Sequence, residues 1–219
     1  MKVVLTGTEA SAAPLAAALA AEGFEVATCP LVRVEPLPGP PLAAAGYDWV
    51  LLTSRNAVEA LLARLEGPLP RLGVVGPGTA EALRARGLEP DLVAPVSTQE
   101  GLAAALPRPA GRVLFAGAEG ARDVLVRELG AEFVPLYRTV EERPARFPEG
   151  DLVVLASPSA ARAFAALRLD RPCVSIGPVT SAEARRLGLR VAVEAASHDG
   201  EGLVRAVKLA ASTVGSSPS

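Results

Sequence analysis

One run of strand and turn residues is written twice in this chain of 219 residues, and no other feature restricts its fold so strongly. The first copy reads Tyr47-Asp48-Trp49-Val50-Leu51-Leu52-Thr53-Ser54-Arg55-Asn56-Ala57-Val58, then Val75-Gly76-Pro77-Gly78-Thr79-Ala80, then Gln99-Glu100-Gly101-Leu102. The second reads Asp151-Leu152-Val153-Val154-Leu155-Ala156-Ser157-Pro158-Ser159-Ala160, then Ile176-Gly177-Pro178-Val179-Thr180, then Gly200-Glu201-Gly202-Leu203. A period of roughly a hundred residues is too long for a solenoid, whose repeats recur at roughly 20–50, and predicts duplicated domains. Two like domains imply a cleft, where a functional site is expected.

Short apolar runs recur at Val3–Leu5, Val50–Leu52, Leu72–Val75, Val113–Phe115, Leu152–Leu155 and Val174–Ile176. Such runs suit parallel strands covered on both faces. Between them lie amphipathic segments. Over 56–66, Val58, Leu61, Leu62 and Leu65 form one apolar stripe and predict a helix. Thr180-Ser181-Ala182-Glu183 reads as a capping box opening a helix that closes at Gly188, with a counterpart from Thr79 to Gly87. The expected class is α/β, doubly wound.

A second pairing accounts for the remainder. Lys2–Gly7 resembles Arg112–Gly117, and Val26–Leu31 resembles Phe133–Leu136. The stretches that follow, Val32–Pro36 and Tyr137–Glu141, are the expected linkers. Two crossings predict a discontinuous domain of residues 1–34 plus 143–211, an inserted domain of residues 35–142, and a disordered polar tail from 212 to 219.

Composition excludes several classes. Half of the residues are hydrophobic and 21% are charged, which describes a packed core rather than a disordered chain. No run of about 18 strongly apolar residues exists, so no membrane span is expected. The N-terminus lacks the apolar region and cleavage site of an export signal, which predicts a cytoplasmic protein. Cys29, Cys173 and the lone His198 make no metal-binding pattern, and both cysteines read as buried thiols. A net charge of −2 argues against a nucleic-acid surface. Neither GxGxxG nor GxxxxGK[ST] follows a strand, so no dinucleotide or triphosphate is expected.

The repeated turns carry the chemistry. Thr53-Ser54-Arg55-Asn56, Gly76-Pro77-Gly78-Thr79, Ser157-Pro158-Ser159 and Gly177-Pro178-Val179-Thr180 end strands and open helices, and Thr6–Ser11 and Ala116–Gly120, with Gly117, are of the same kind. In an open α/β sheet such turns lie at the carboxyl ends of the strands, where unpaired N–H groups and hydroxyls can hold an anion. Ordinary helix capping is the competing explanation for any single turn. Arg33, Arg55, Arg122, Arg138 and Arg162 lie near these turns, with Arg122 and Arg162 the best candidates for plain helix surface. His198 reads as a surface turn residue. Tyr137, on a linker, has a phenol able to donate a hydrogen bond or a proton and a ring able to stack.

Taken in order, Tyr47–Val58, Val75–Ala80, Pro135–Thr139, Ala156–Ala160, Ile176–Thr180 and Glu201–Leu203 resemble the uroporphyrinogen-III synthases, over residue 1 to about 210. The resemblance implies two flavodoxin-like domains joined by a two-stranded linker, and closure of the linear tetrapyrrole hydroxymethylbilane with loss of water and inversion of ring D. It implies no cofactor; a monomer is expected, since nothing in the sequence suggests more. The substrate's eight carboxylates give anion-holding turns a purpose, with Thr53, Ser54, Arg55, Asn56, Gly76, Gly78, Thr79, Gly117, Ser157, Ser159, Gly177 and Thr180 expected to bind it and Tyr137 to assist departure of the hydroxyl. One departure stands out: where the family often has a basic residue after the first strand, this chain has Thr6-Gly7-Thr8. A two-lobed binding protein for an anionic ligand and a GT-B-like glycosyltransferase remain as alternatives.

Overall fold

The computed structural model describes residues 1–214. In chain order the elements are β1 (Lys2–Leu5), α1 (Glu9–Ala21), β2 (Glu25–Thr28), β3 (Val32–Pro36), β4 (Leu42–Ala43), β5 (Trp49–Leu52), α2 (Arg55–Leu62), β6 (Leu65–Glu66), β7 (Arg71–Val74), α3 (Pro77–Arg84) and β8 (Leu92–Val93). They continue as α4 (Gln99–Ala105), β9 (Val113–Ala118), α5 (Val124–Leu129), β10 (Glu132–Glu141), β11 (Leu152–Leu155), α6 (Pro158–Ala166), β12 (Cys173–Ser175), α7 (Pro178–Arg186), β13 (Val191–Glu194) and α8 (Gly200–Val214). The chain divides into unit 1, Met1–Arg33 with the chain from Val140, and unit 2, Val34–Thr139. Each crossing falls inside a strand, β3 and β10, and these two are neighbours in one sheet. Leu37 N–H donates to Leu136 O and Glu142 N–H to Leu31 O, so the pair runs antiparallel.

Both sheets follow one plan. Unit 1 has the order β13-β12-β11-β1-β2, with every neighbouring pair parallel. Unit 2 has β8-β7-β5-β9-β10, also parallel, with β3 added at the edge. Counted along the sequence, unit 1 is the flavodoxin order 2-1-3-4-5. Unit 2 has the same spatial order, but its β9-β10 pair comes last in the chain where β1-β2 comes first. That rotation of the same half-motifs makes unit 1 discontinuous.

The apolar runs are buried on both faces. Val3, Leu5, Leu152 and Val154 enter one core of unit 1, while Val4, Val153 and Leu155 enter the other. In unit 2, Val50, Leu52, Leu114 and Ala116 point to one core and Trp49, Leu51, Val113 and Phe115 to the opposite one. Alternation by two residues sends neighbours to opposite faces, and helices cover both.

Several local expectations are corrected. The helix expected over 56–66 ends at Leu62, and Leu65–Glu66 instead pairs with Leu42–Ala43 as a short strand. Neither Thr79 nor Thr180 caps a helix. With Pro77 and Pro178 inside their first turns, α3 and α7 begin earlier, and Gly76 and Gly177 are the caps. Proline has no N–H to waste at a helix start, so it marks the first turn. Gly87 and Gly188 do follow these helices with positive φ. Of the disordered tail expected from Ser212, the first residues are helical, since α8 runs to Val214; 215–219 lie outside the described residues.

Candidate functional site

Because the strands of each sheet are parallel, the loops after them gather on its carboxyl edge. In unit 1 this rim carries Thr6–Thr8, Ser157, Gly177 and the loop Ala195–Asp199; in unit 2 it carries Thr53–Ser54, Gly76 and the loop Ala94–Thr98. The rims match in detail. Ser54 and Ser157 cap α2 and α6 with backbone angles of −162°, 159° and −164°, 159°, accepting from Ala57 N–H and Ala160 N–H at 3.1 Å. Gly76 and Gly177 leave α3 and α7 with no side-chain cap. A side chain on Gly76 would run into Ser97, and one on Gly177 into the ring of His198, with Cδ2 at 2.5 Å and Nε2 at 2.6 Å. The glycines are there for space.

Uncapped helix starts present free N–H groups with partial positive charge. Here each has a hydroxyl beside it. Thr79 is 5% exposed and Thr180 3%, yet neither hydroxyl has a hydrogen-bond partner among the described residues. The sealed side-chain polar atoms without partners are Trp49 Nε1 and Gln99 Oε1, so the two threonine oxygens keep an opening to solvent. A nearly buried hydroxyl without a protein partner is disfavoured unless something else bonds to it. Thr6 makes a different use of its hydroxyl, donating to Val154 O at 2.6 Å within the sheet.

Unit 2 adds a pair that unit 1 lacks. Tyr137 OH and Ser54 Oγ lie 2.7 Å apart. Tyr137 is 4% exposed and sits in the core with Ala116, while Ala118 packs against that core. Between β10, which bears Tyr137, and β5, whose following turn holds Ser54, runs β9, which offers only Ala116, Gly117 and Ala118 at that level, and a register shift between Pro135 and Tyr137 sets the tyrosine opposite Ala118. The small residues let the phenol reach across to the cap of α2. Burial pushes the Tyr137 phenol up from its ordinary value, and the bond to Ser54 offsets part of that. At that burial the ring has no free face for stacking, and its hydroxyl meets Ser54.

Other candidates are placed differently. Gly117 is buried inside β9, not in a turn, and a side chain there would press on Phe115 at 3.0 Å, so packing explains it. Gly78 lies buried in the first turn of α3. Ser159 accepts from Arg162 at 3.0 Å. Thr53 and Asn56 flank the Ser54 cap, half-buried. The arginines form ion pairs within their own units: Arg55 with Glu81 at 2.7 Å, Arg122 with Glu100 at 2.5 Å, Arg138 with Glu35 at 2.6 Å, Arg33 with Glu142 at 2.6 Å, and Arg162 with Glu141 at 3.0 Å. The donors that remain at the rims are amides, hydroxyls and the His198 ring. Asp199 caps α8 by accepting from Gly202 N–H at 2.7 Å. Both cysteines are buried, and burial pushes the Cys173 thiol up to about 12, which keeps it an inert core residue. Among the described residues no His, Cys, Asp and Glu cluster could hold a metal, and no helix is long and apolar enough to cross a membrane.

His198, expected as a surface turn residue, is half-buried with its ring packed on Gly177, and the close approach of the repeated Gly101 and Gly202 to the loops before them was not foreseen. For His198 the available signal was its alignment with Ser97 in the duplicate frame. For the glycines it was the repeated Glu-Gly-Leu.

The same fold occurs in known proteins. A mutant uroporphyrinogen III synthase from Thermus thermophilus superposes with a TM-score of 0.63 at 20% identity, over 97% of this chain and 99% of that one. The Helicobacter pylori enzyme gives 0.65 at 18% identity, over 97% and 99%. By sequence, the uroporphyrinogen-III synthase of Synechococcus elongatus is 30% identical over 94% of each chain. A porphyrin biosynthesis protein HemD of Ruminiclostridium josui is 28% identical over 88% of this chain and 45% of its own length. The family model described as uroporphyrinogen-III synthase HemD matches residues 13–205, which takes in the Tyr137–Ser54 pair and all of both rims but Thr6–Thr8. With that match spanning both units, the chain belongs to the uroporphyrinogen-III synthase family.

Proposed function

We infer that this chain carries out its family's reaction, closing hydroxymethylbilane to uroporphyrinogen III with loss of water and inversion of ring D. Within the geometry, the supporting observation is the pair of matched rims, each with an uncapped helix start and a threonine hydroxyl that no group among the described residues satisfies. A substrate with eight carboxylates supplies acceptors for such donors, and donors fixed in place lose little freedom on binding.

The hydroxymethyl group leaves readily from an electron-rich pyrrole, so a strong acid is unnecessary. The harder task is to fold the chain so that the substituted carbon of ring D attacks, through a spiro intermediate, in place of simple end-to-end closure. That is catalysis by positioning. We assign assistance to the departing hydroxyl to Tyr137 acting through Ser54. Ser54 Oγ already accepts from Ala57 N–H; if it also accepts from Tyr137, its own hydrogen must point elsewhere, towards the rim. The raised phenol suits a role as hydrogen-bond donor, since full loss of its proton would leave a charge in the core.

The proposal makes the chain a cytoplasmic monomer that works without cofactor, metal, nucleic acid or membrane. Its test is direct: with hydroxymethylbilane supplied, the type III product should dominate. A binding protein or a glycosyltransferase would leave the spontaneous type I outcome unaltered, and that result would end this reading.

A second expectation concerns the rims. Thr79→Val and Thr180→Val keep shape and remove a hydroxyl that has no partner among the described residues. Each should raise KM by roughly tenfold, as for a lost hydrogen bond to a charged acceptor, with the melting temperature unchanged or higher. A drop in melting temperature with unchanged KM would make these hydroxyls structural.

A further inference from the structure

The duplicate frame makes the differences between the two rims readable. At the first turn of α3 in unit 2 stand Gly76, Gly78, Thr79 and, against Gly76, Ser97. At the first turn of α7 in unit 1 stand Gly177, Val179, Thr180 and, against Gly177, His198. Glycine and threonine keep their places. The variable positions change from glycine to valine and from serine to histidine.

Both changes enlarge what the rim of unit 1 offers. Val179 is 48% exposed, which leaves a branched apolar side chain at a helix entrance with no core to cover it. His198 is half-buried and makes no hydrogen bond or ion pair among the described residues, so its imidazole is anchored by packing on Gly177 and free at its polar atoms. Thr180, nearly buried and unpartnered, follows Val179 in the same first turn. An apolar surface, a ring N–H and a hydroxyl therefore surround one uncapped helix start. At the matching helix position in unit 2 the valine is a glycine and the ring is replaced by a small hydroxyl; the exposed apolar side chain of that rim, Val96 at 58%, stands on the preceding loop instead.

We propose that the α7 entrance of unit 1 is the ring-selecting subsite, taking a whole pyrrole with its acid side chain. Val179 packs against the pyrrole face. His198 donates from one ring nitrogen to the carboxylate, for which the neutral imidazole suffices. Thr180 and the first-turn amides complete the acceptor's shell. The proposal rests on the tetrapyrrole reading given above.

The test compares His198→Ala, His198→Gln and Val179→Gly with the intact protein on hydroxymethylbilane. His198→Ala should raise KM roughly tenfold with kcat changed by less than about twofold, the pattern of a lost binding hydrogen bond. His198→Gln, which restores an N–H donor of similar reach, should recover most of that loss. Val179→Gly should raise KM and increase the fraction of type I product, because a loosely held ring closes without inversion. An unchanged KM in His198→Ala, or a glutamine variant no better than alanine, overturns the subsite. If His198→Ala does not fold, the glutamine and Val179→Gly variants still decide: wild-type KM and product ratio in both also overturn it. If the intact protein itself gives no type III product, the broader reading fails instead.

Discussion

Tyr137→Phe is expected to lower kcat by roughly ten- to a hundredfold, at or below the weak end of what a positioned proton donor supplies, because the leaving group departs readily. The ring's packing in the unit 2 core survives in phenylalanine, so stability should fall by only about 1 kcal/mol, the worth of one hydrogen bond. Ser54→Ala removes the same bond from the other side and also the cap of α2, adding about 1 kcal/mol of destabilisation. If the two hydroxyls act as one unit, the double variant should be no slower than the worse single one, and Ser54→Thr should restore much of the rate. The pH profile provides a separate check. Burial raises the Tyr137 pKa above its ordinary 10, so the phenol stays protonated through neutral and mildly alkaline pH. Its folded value exceeds its unfolded one; the stabilisation from keeping it neutral is therefore complete below pH about 10 and lost as pH rises past the folded value. Turnover should show no inflection from this group below pH about 10, and the phenylalanine variant should lose less stability in strong alkali. Turnover within twofold of the intact enzyme would remove Tyr137 from the mechanism.

Much of this fold is legible in the sequence because it rests on patterns that burial enforces. The apolar runs are continuous because each sheet is covered twice, and the repeated turns keep their spacing because parallel strands bring their ends to one edge. What the sequence hides depends on distance between chain-remote atoms. The Tyr137–Ser54 bond requires a register shift in β10 and a stretch of small residues in β9, and neither is visible until the strands are ordered. Thr79 and Thr180 resemble caps by their spacing to Glu or Ala three residues on. The prolines two residues earlier were the better signal, since they fix the first turn and push each threonine into the helix. A lone histidine carries almost no information by type. Its meaning comes from standing where the other half of the duplication has serine.

The largest stability effect should come from the repeated glycines Gly101 and Gly202, whose role is steric. Each lies in the first turn of its helix, with its N–H donated to a capping side chain, Thr98 at 3.0 Å and Asp199 at 2.7 Å. In that position a side chain on Gly101 would collide with the backbone oxygen and Cβ of Val96, the latter at 2.9 Å. One on Gly202 would meet Ser197 Oγ at 2.5 Å and the Ser197 backbone oxygen closer still. A backbone carbonyl cannot rotate away as a side chain can, so alanine must push the loop before the helix outward or break the cap. Either costs about 2–4 kcal/mol, overpacking compounded by a strained or lost hydrogen bond. Because each unit has its own cores, Gly101→Ala should weaken hydrogen-exchange protection in β5, β7 and β8, and Gly202→Ala in β11, β12 and β13. The two variants should also part in function. Gly202→Ala moves the loop that carries His198 and should raise KM beyond what lost stability explains, while Gly101→Ala moves Val96 and Ser97. Alanine at either position melting with the intact protein would show that these loops yield freely, and the steric account of the repeated Glu-Gly-Leu would be wrong.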